Sequence, residues 1–195
     1  METRPVSYST GQKVLHWTIA ALIVAQVIIG ILIALVLKPG PVTDVLYEVH
    51  KSFGLTILAL ALVRIAVRWR RGAPPLVGGL PAWQRVAART SHYALYVLIV
   101  IVPIAGWTAT STCCPPVKYF WTVDVTLPVE VEEGEDRMEA SKPIFRIHRA
   151  LALTLAGLVL IHAGAALHHH FVRRDDTLRR MLGSSKSALQ ATKPV

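Results

Sequence analysis

The chain has 195 residues, of which 53% are hydrophobic and only 17% charged, against roughly 25% charged in ordinary soluble domains. Its formal net charge is +9, but the basic residues gather in short segments between apolar runs, which argues for a basic membrane face and against nucleic-acid binding. Two adjacent cysteines, Cys113 and Cys114, exclude a disulfide framework and a four-cysteine zinc or iron–sulfur site. No phosphate-binding loop, dinucleotide-binding glycine pattern or zinc-protease motif occurs.

A helix that crosses the hydrocarbon core needs about 20 mainly apolar residues, and four segments meet or approach this. The first is Val14 to Leu37, between Lys13 and Lys38. It is too long for a signal h-region and has no small-x-small cleavage site, so it reads as a retained anchor. The second runs from about Val49 to Val67 and contains Arg64. The third is Thr90 to Thr112, with Pro103 and Gly106 inside it, and the fourth runs from about Ile147 to His170. A soluble four-helix bundle would need polar helix faces, and Ile19 to Leu37 offers almost none. The expectation is an all-α integral membrane four-helix bundle over residues 1–182, with a disordered cytoplasmic tail over 183–195.

The connections predict the direction of the spans. The second linker, Arg68 to Arg89, has five arginines and no acid, and six basic residues follow Phe171 against Asp175 and Asp176. The third linker, between Cys113 and Arg146, carries seven acids (Asp124, Glu130, Glu132, Glu133, Glu135, Asp136 and Glu139) against four bases. Because Lys and Arg mark the cytoplasmic side, both termini and the second linker are expected inside and the acidic linker outside. That linker is expected to be extended or lid-like.

Ionisable and metal-binding groups within spans are costly and usually functional. His148 and His162 are 14 residues apart, close to four helical turns, so they share a face about 21 Å apart along the axis. The first helix runs outward and puts His16 at the inner edge; the second runs inward and puts His50 at the outer edge. His16 can then reach only the level of His162, and His50 only that of His148. Histidine is a standard axial haem ligand, and bundles build cofactor sites from facing helices. The expectation is two b haems stacked across the bilayer, with His16, His50, His148 and His162 as iron ligands. Gly54 and Ala163 to Ala166 are expected to leave room for the macrocycles. Lys51, Arg149 and Arg64 are the cations expected to face haem propionates; the alternative for Arg64 is snorkelling to the inner surface. His92 is placed at the start of the third helix in an interfacial or substrate-contacting role, with ligation of the inner haem as the alternative, and His168-His169-His170 as an inner-interface cluster suited to proton transfer. Cys113 and Cys114 read as incidental or as an adjacent disulfide on the oxidising side.

At these residues the chain resembles the bacterial cytochrome b561 family. The matching pieces are Lys13-Val14-Leu15-His16-Trp17; Val49-His50-Lys51-Ser52-Phe53-Gly54; Arg64 with Arg68-Trp69-Arg70-Arg71 and Pro74-Pro75; Ala88-Arg89-Thr90-Ser91-His92-Tyr93-Ala94-Leu95-Tyr96; Ile161-His162-Ala163; His169-His170-Phe171; and Asp175 to Leu182. The resemblance covers about Ser9 to Leu182. It implies two haem b, residence in the bacterial inner membrane, and electron exchange with ubiquinone. One branch of the family is similar to superoxide oxidase, which takes an electron from superoxide outside and reduces ubiquinone near the inner haem. Carried over by position, His169 would sit by the quinone, and Arg85, Arg89 and His92 are further quinone-side candidates. Other branches serve separate periplasmic redox proteins. The acidic outer linker departs from the superoxide pattern, because a negative rim repels an anion. Two functions therefore stand: a cytochrome linking an outer one-electron donor, superoxide among the candidates, to ubiquinone; and a non-enzymatic subunit for a periplasmic protein partner. A haem or metal transporter would need polar residues along a path that this sequence lacks.

Overall fold

The computed structural model describes residues 7–114 and 116–183. Four helices long and apolar enough to cross a membrane account for most of them: Thr10–Val36, Pro41–Arg71, Ala82–Cys113 and Arg137–Arg173. The first comprises α1 (Thr10–Ile31) and a π-helical turn, Leu32–Val36; the second and third are α2 and α3. The fourth comprises α4 (Arg137–His168) and a second π-helical turn, His169–Arg173. A short helix, α5 (Arg179–Leu182), follows. The expected tail from about Gly183 lies, beyond that residue, outside the described residues.

Local chemistry sets the helix ends. Ser9 and Gln12 form a capping box on α1. Pro41 occupies the first turn of α2, where its missing N–H costs nothing. Arg68, Arg70 and Arg71 in the last turn of α2 complement the helix dipole before Gly72 ends it at φ 68°. The Asp136 side chain accepts from Met138 N–H and opens α4. Helices two, three and four all begin earlier than their apolar stretches, because their first turns are helical although too polar to count toward a hydrocarbon span.

The core is a seam of medium-sized apolar side chains: Ile19 and Ile23 from α1, Ile57 and Ala61 from α2, Leu98, Ile99 and Val102 from α3, and Leu155 from α4. Helix α3 packs along α4, and α2 packs against both α1 and α3. Large apolar side chains face outward, Leu160 at 74% exposure and Leu35 at 70% among them. In water these would be a liability; they suit lipid.

The two ends of the bundle are built differently. At one end the basic segments tie together: Gln12 Nε2 donates to Gly72 O (3.0 Å), Trp17 Nε1 to Met181 O (3.1 Å), Arg180 to Pro75 O (2.7 Å) and Arg173 to Gln84 Oε1 (3.0 Å). At the other end the acidic linker folds down as a small antiparallel hairpin, β1 (Lys118–Tyr119) and β2 (Val123–Asp124), which refines the expectation of an extended linker. Its turn holds Phe120 and Trp121 at φ 44° and 61°, costing roughly 1–2 kcal/mol per residue. The contacts that offset this cost come from α2. The fully buried Ser52 hydroxyl accepts from Phe120 N–H (2.8 Å), Thr56 and Tyr119 hydroxyls bond at 3.0 Å, and Phe53 meets Phe120 edge-on. Trp107 Nε1 donates to Val125 O (2.7 Å) and adds a tie to α3.

Ser52→Ala leaves the Phe120 N–H without its acceptor, a loss of roughly 1–3 kcal/mol. Limited proteolysis should cut the hairpin segment at least several-fold faster in this variant while far-UV circular dichroism keeps its helical signal.

Candidate functional site: two histidine pairs

The helices bring four imidazoles together in two pairs. His50 on α2 faces His148 on α4 toward the acidic end, with ring centroids 6.3 Å apart and planes at 87°. His16 on α1 faces His162 on α4 toward the basic end, also at 6.3 Å, with planes at 77°. The 14-residue interval between His148 and His162 puts the pairs about 21 Å apart along α4.

Each ring is held by its neighbours. His148 Nδ1 donates to the Val102 carbonyl (3.0 Å), so its proton is on Nδ1 and Nε2 is the nitrogen with a free lone pair. The ring packs closely on Gly106, where an added Cβ would come within 2.9 Å of Cε1 and 3.0 Å of Nδ1; only glycine permits this approach. His50 packs its Cε1 against Gly30, 3.5 Å from a Cβ built there. Its Nδ1 is buried and has no hydrogen-bond partner. Gln26 on α1 donates Nε2 to the His50 carbonyl (2.8 Å).

The basic-end pair has more company. His92 lies 5.3 Å from His162, centroid to centroid, so three imidazoles meet there. This corrects the expectation that His92 begins its helix: α3 starts at Ala82, and His92 lies about three turns inside it. Arg64 donates Nη1 to Gln12 O (3.0 Å), and its guanidinium is 5.9 Å from the Tyr96 ring centre, with that of Arg68 at 5.6 Å on the same ring. No carboxylate pairs with Arg64 among the described residues. The other expected cations differ: Lys51 is paired with Glu48, and Arg149 is exposed. A Cβ added at Gly54 would come 3.4 Å from the Gln26 amide nitrogen.

Beyond the basic-end pair, the π-helical turn carries His169 to Asp175. His169 Nδ1 donates to Asp175 Oδ2 (2.6 Å), and Thr177 also bonds that carboxylate. Burial acts to raise the Asp175 pKa, but the hydrogen bonds from His169 and Thr177 outweigh it and hold the carboxyl below its ordinary value. The run of three histidines is thus divided: His168 is exposed, His169 bonded, and His170 half-buried. Arg85 and Arg89 are exposed on the first turns of α3, with Arg85 bonded to Leu80 O. Next to Asp175 is an open pocket of about 340 Å³ lined by Val77, Gly78, Arg174, Asp176, Arg179 and Arg180. Cys113 and Cys114 are joined to each other in a disulfide at the acidic end.

Two imidazoles on opposite sides of one ion, taking the zinc–imidazole bond of about 2.0–2.1 Å as a scale, have centroids about 6 Å apart. Both pairs match. No group of three or more His, Cys, Asp or Glu side chains is placed to hold a metal ion by itself among the described residues, and the facing pairs suit a metal that takes two ligands from protein and the rest from a macrocycle. The glycine cradle at His148 and its committed Nδ1 fit the same group.

The fold and site define a multi-pass membrane protein with facing histidine pairs at two depths. The chain belongs to the prokaryotic cytochrome b561 family, whose model matches residues 7–184. It is 32% identical to the cytochrome b561 homolog 2 of Escherichia coli K12 over 186 residues, covering 94% of this chain and 95% of that protein. A cytochrome b562 of Cereibacter sphaeroides is 30% identical over 184 residues, 92% of this chain and 98% of the relative. A probable superoxide oxidase CybB of Yersinia pestis is 29% identical over 134 residues, 69% of this chain and 73% of the relative. The chain is therefore a bacterial membrane electron-transfer protein of a family that binds haem b.

Sequence reasoning missed Gly106, Gly30 and Gln26 as supports of the rings. Gln26 had a signal, being the one polar side chain between Ile19 and Leu37.

Two substitutions test the site. Gly106→Ala forces the His148 ring off its carbonyl, an overpacking cost of roughly 1–3 kcal/mol. A haem held by His148 would then weaken in the spectrum or change spin state, whereas one held at the other pair would persist. Asp175→Asn removes a carboxylate whose folded-state pKa is depressed. The stability it contributes is full above the ordinary carboxylate range and disappears as pH falls through the depressed value. Thermal melts of wild type and variant should differ at neutral pH and converge in acid.

Proposed function

We propose that this chain is a di-haem b cytochrome of the bacterial inner membrane that carries electrons between a one-electron donor on the acidic, outer side and the ubiquinone pool on the basic, inner side. The observation that carries the reading is the pairing of four imidazoles at two depths, each pair with the spacing of two axial ligands. His50 and His148 would hold the outer haem, and His16 and His162 the inner one. A haem b held by both imidazoles of a pair would supply one-electron transfer there and would leave no position open to small ligands. Both termini are cytoplasmic on this reading, in keeping with the basic segments gathered at one end.

The protein's own groups shape the inner end. Arg64 has cationic surface to offer a propionate, since its one hydrogen bond goes to a backbone carbonyl. His169 has committed Nδ1 to Asp175, so Nε2 is the atom able to meet a quinone oxygen or pass a proton to it. His92, Arg85 and Arg89 are secondary quinone-side candidates. Reduction of a quinone to a quinol consumes two electrons and two protons, and a histidine–aspartate pair at the cytoplasmic edge is suited to relaying the latter.

The donor divides the reading. The similarity to a probable superoxide oxidase supports superoxide, which would make the chain an enzyme. The seven acids of the outer linker favour a second reading, a cytochrome subunit serving a basic periplasmic protein. Stopped-flow mixing of oxidised protein with superoxide separates them: rapid haem reduction selects the enzyme, and its absence alongside salt-sensitive reduction by a protein donor selects the subunit. His169→Ala should keep its haem and slow reoxidation by a soluble ubiquinone analogue by roughly 10²-fold, the lower range for a lost proton-transfer group. An unchanged rate would remove His169 from the quinone side.

A further inference from the structure

Helix α1 is apolar from Ile19 to Leu37 except at Gln26. A carboxamide at that depth is costly unless its polar atoms are bonded. Half of this one is: Nε2 donates to the His50 carbonyl at 2.8 Å. The other half is not, because Oε1 is buried without a partner. The same is true of His50 Nδ1. An orphan acceptor and an orphan ring nitrogen thus belong to two residues already in contact. The surroundings are cut to fit this contact. At Gly54 an added Cβ would come 3.4 Å from the Gln26 amide nitrogen, and Gly30, one turn along α1, lies against the His50 ring.

The partner ring shows what is missing. His148 has its Nδ1–H on the Val102 carbonyl, the arrangement that ordinarily fixes the tautomer and orientation of a metal-bound histidine and raises its basicity. His50 has no equivalent carbonyl. We infer that Gln26 is a positioning residue for His50: its Oε1 accepts the Nδ1–H of His50 when Nε2 is the metal-binding nitrogen. The inference rests on the proposed ligand role of His50. A more basic imidazole favours the ferric over the ferrous state, so Gln26 lowers the midpoint potential of the outer haem and leaves that of the inner haem alone. The residue is therefore a device for setting the potential difference between the two levels.

The test is a redox titration of wild type, Gln26→Met and Gln26→Glu in detergent, with a pyridine haemochrome count on the same samples. Both variants should keep two haems. Gln26→Met should raise the outer midpoint, changing the ferric-to-ferrous ratio at fixed potential by on the order of tenfold, about 59 mV for one electron, with the inner midpoint unmoved. Gln26→Glu retains an acceptor oxygen and should fall at or below the wild-type value. Midpoints that do not move, or that move together in both variants, would overturn the assignment and reduce Gln26 to a tie between α1 and α2. If Gln26→Met loses haem, the Gln26→Glu midpoint decides alone: below wild type supports the inference, at or above it overturns it. Absence of haem from wild type would overturn the ligand reading itself, and this one with it.

Discussion

A polar side chain on a helix that crosses hydrocarbon has no water to fall back on, so another helix, or a bound group, must satisfy it. This constraint organises the whole bundle. The five histidines deep in the helices meet one another at two depths. Arg64 reaches the α1 carbonyl of Gln12, and Gln26 reaches the α2 carbonyl of His50. The apolar seam of Ile19, Ile23, Ile57, Leu98 and Leu155 brings the helices together. The polar contacts decide how they face one another, because a turn of any helix about its axis would strand an imidazole or a guanidinium in lipid.

The two ends then divide the work. The basic end is stitched by side-chain bonds from the second linker to both chain ends, and it contains His92, the His169–Asp175 pair and the open pocket beside it. The acidic end is covered by a hairpin whose strained aromatic turn is bolted to the buried Ser52. An acidic, lidded face above one histidine pair and a basic face with the His169–Asp175 pair near the other make an asymmetric molecule. Such asymmetry suits the proposed transfer of electrons from one side of the bilayer to the other.

Much of this was legible in the residues. The four apolar runs locate the spans, and the 14-residue interval from His148 to His162 is enough to pair each with a partner of matching depth. The helix ends were not, since capped polar turns such as Asp136 to Arg146 are helical without being apolar. His92 was misplaced for the same reason: with the eight residues Ala82 to Arg89, which include Gln84, Arg85 and Arg89, counted as linker, it looked terminal. Gly106 could not be recognised, because a glycine in a span has many uses and only the position of the His148 ring identifies this one. The hairpin was illegible because Phe120 and Trp121 occupy a turn where glycine or asparagine would be expected; contacts with α2 override the local preference.

The central claim is that each histidine pair holds one haem. Pyridine haemochrome analysis of detergent-purified protein, expressed with ample haem, tests it directly when wild type is compared with His162→Ala. The account predicts two haem b per wild-type chain and one in the variant, with the survivor at the His50–His148 level. A wild-type chain with one haem or none, or a variant that retains both, would contradict it.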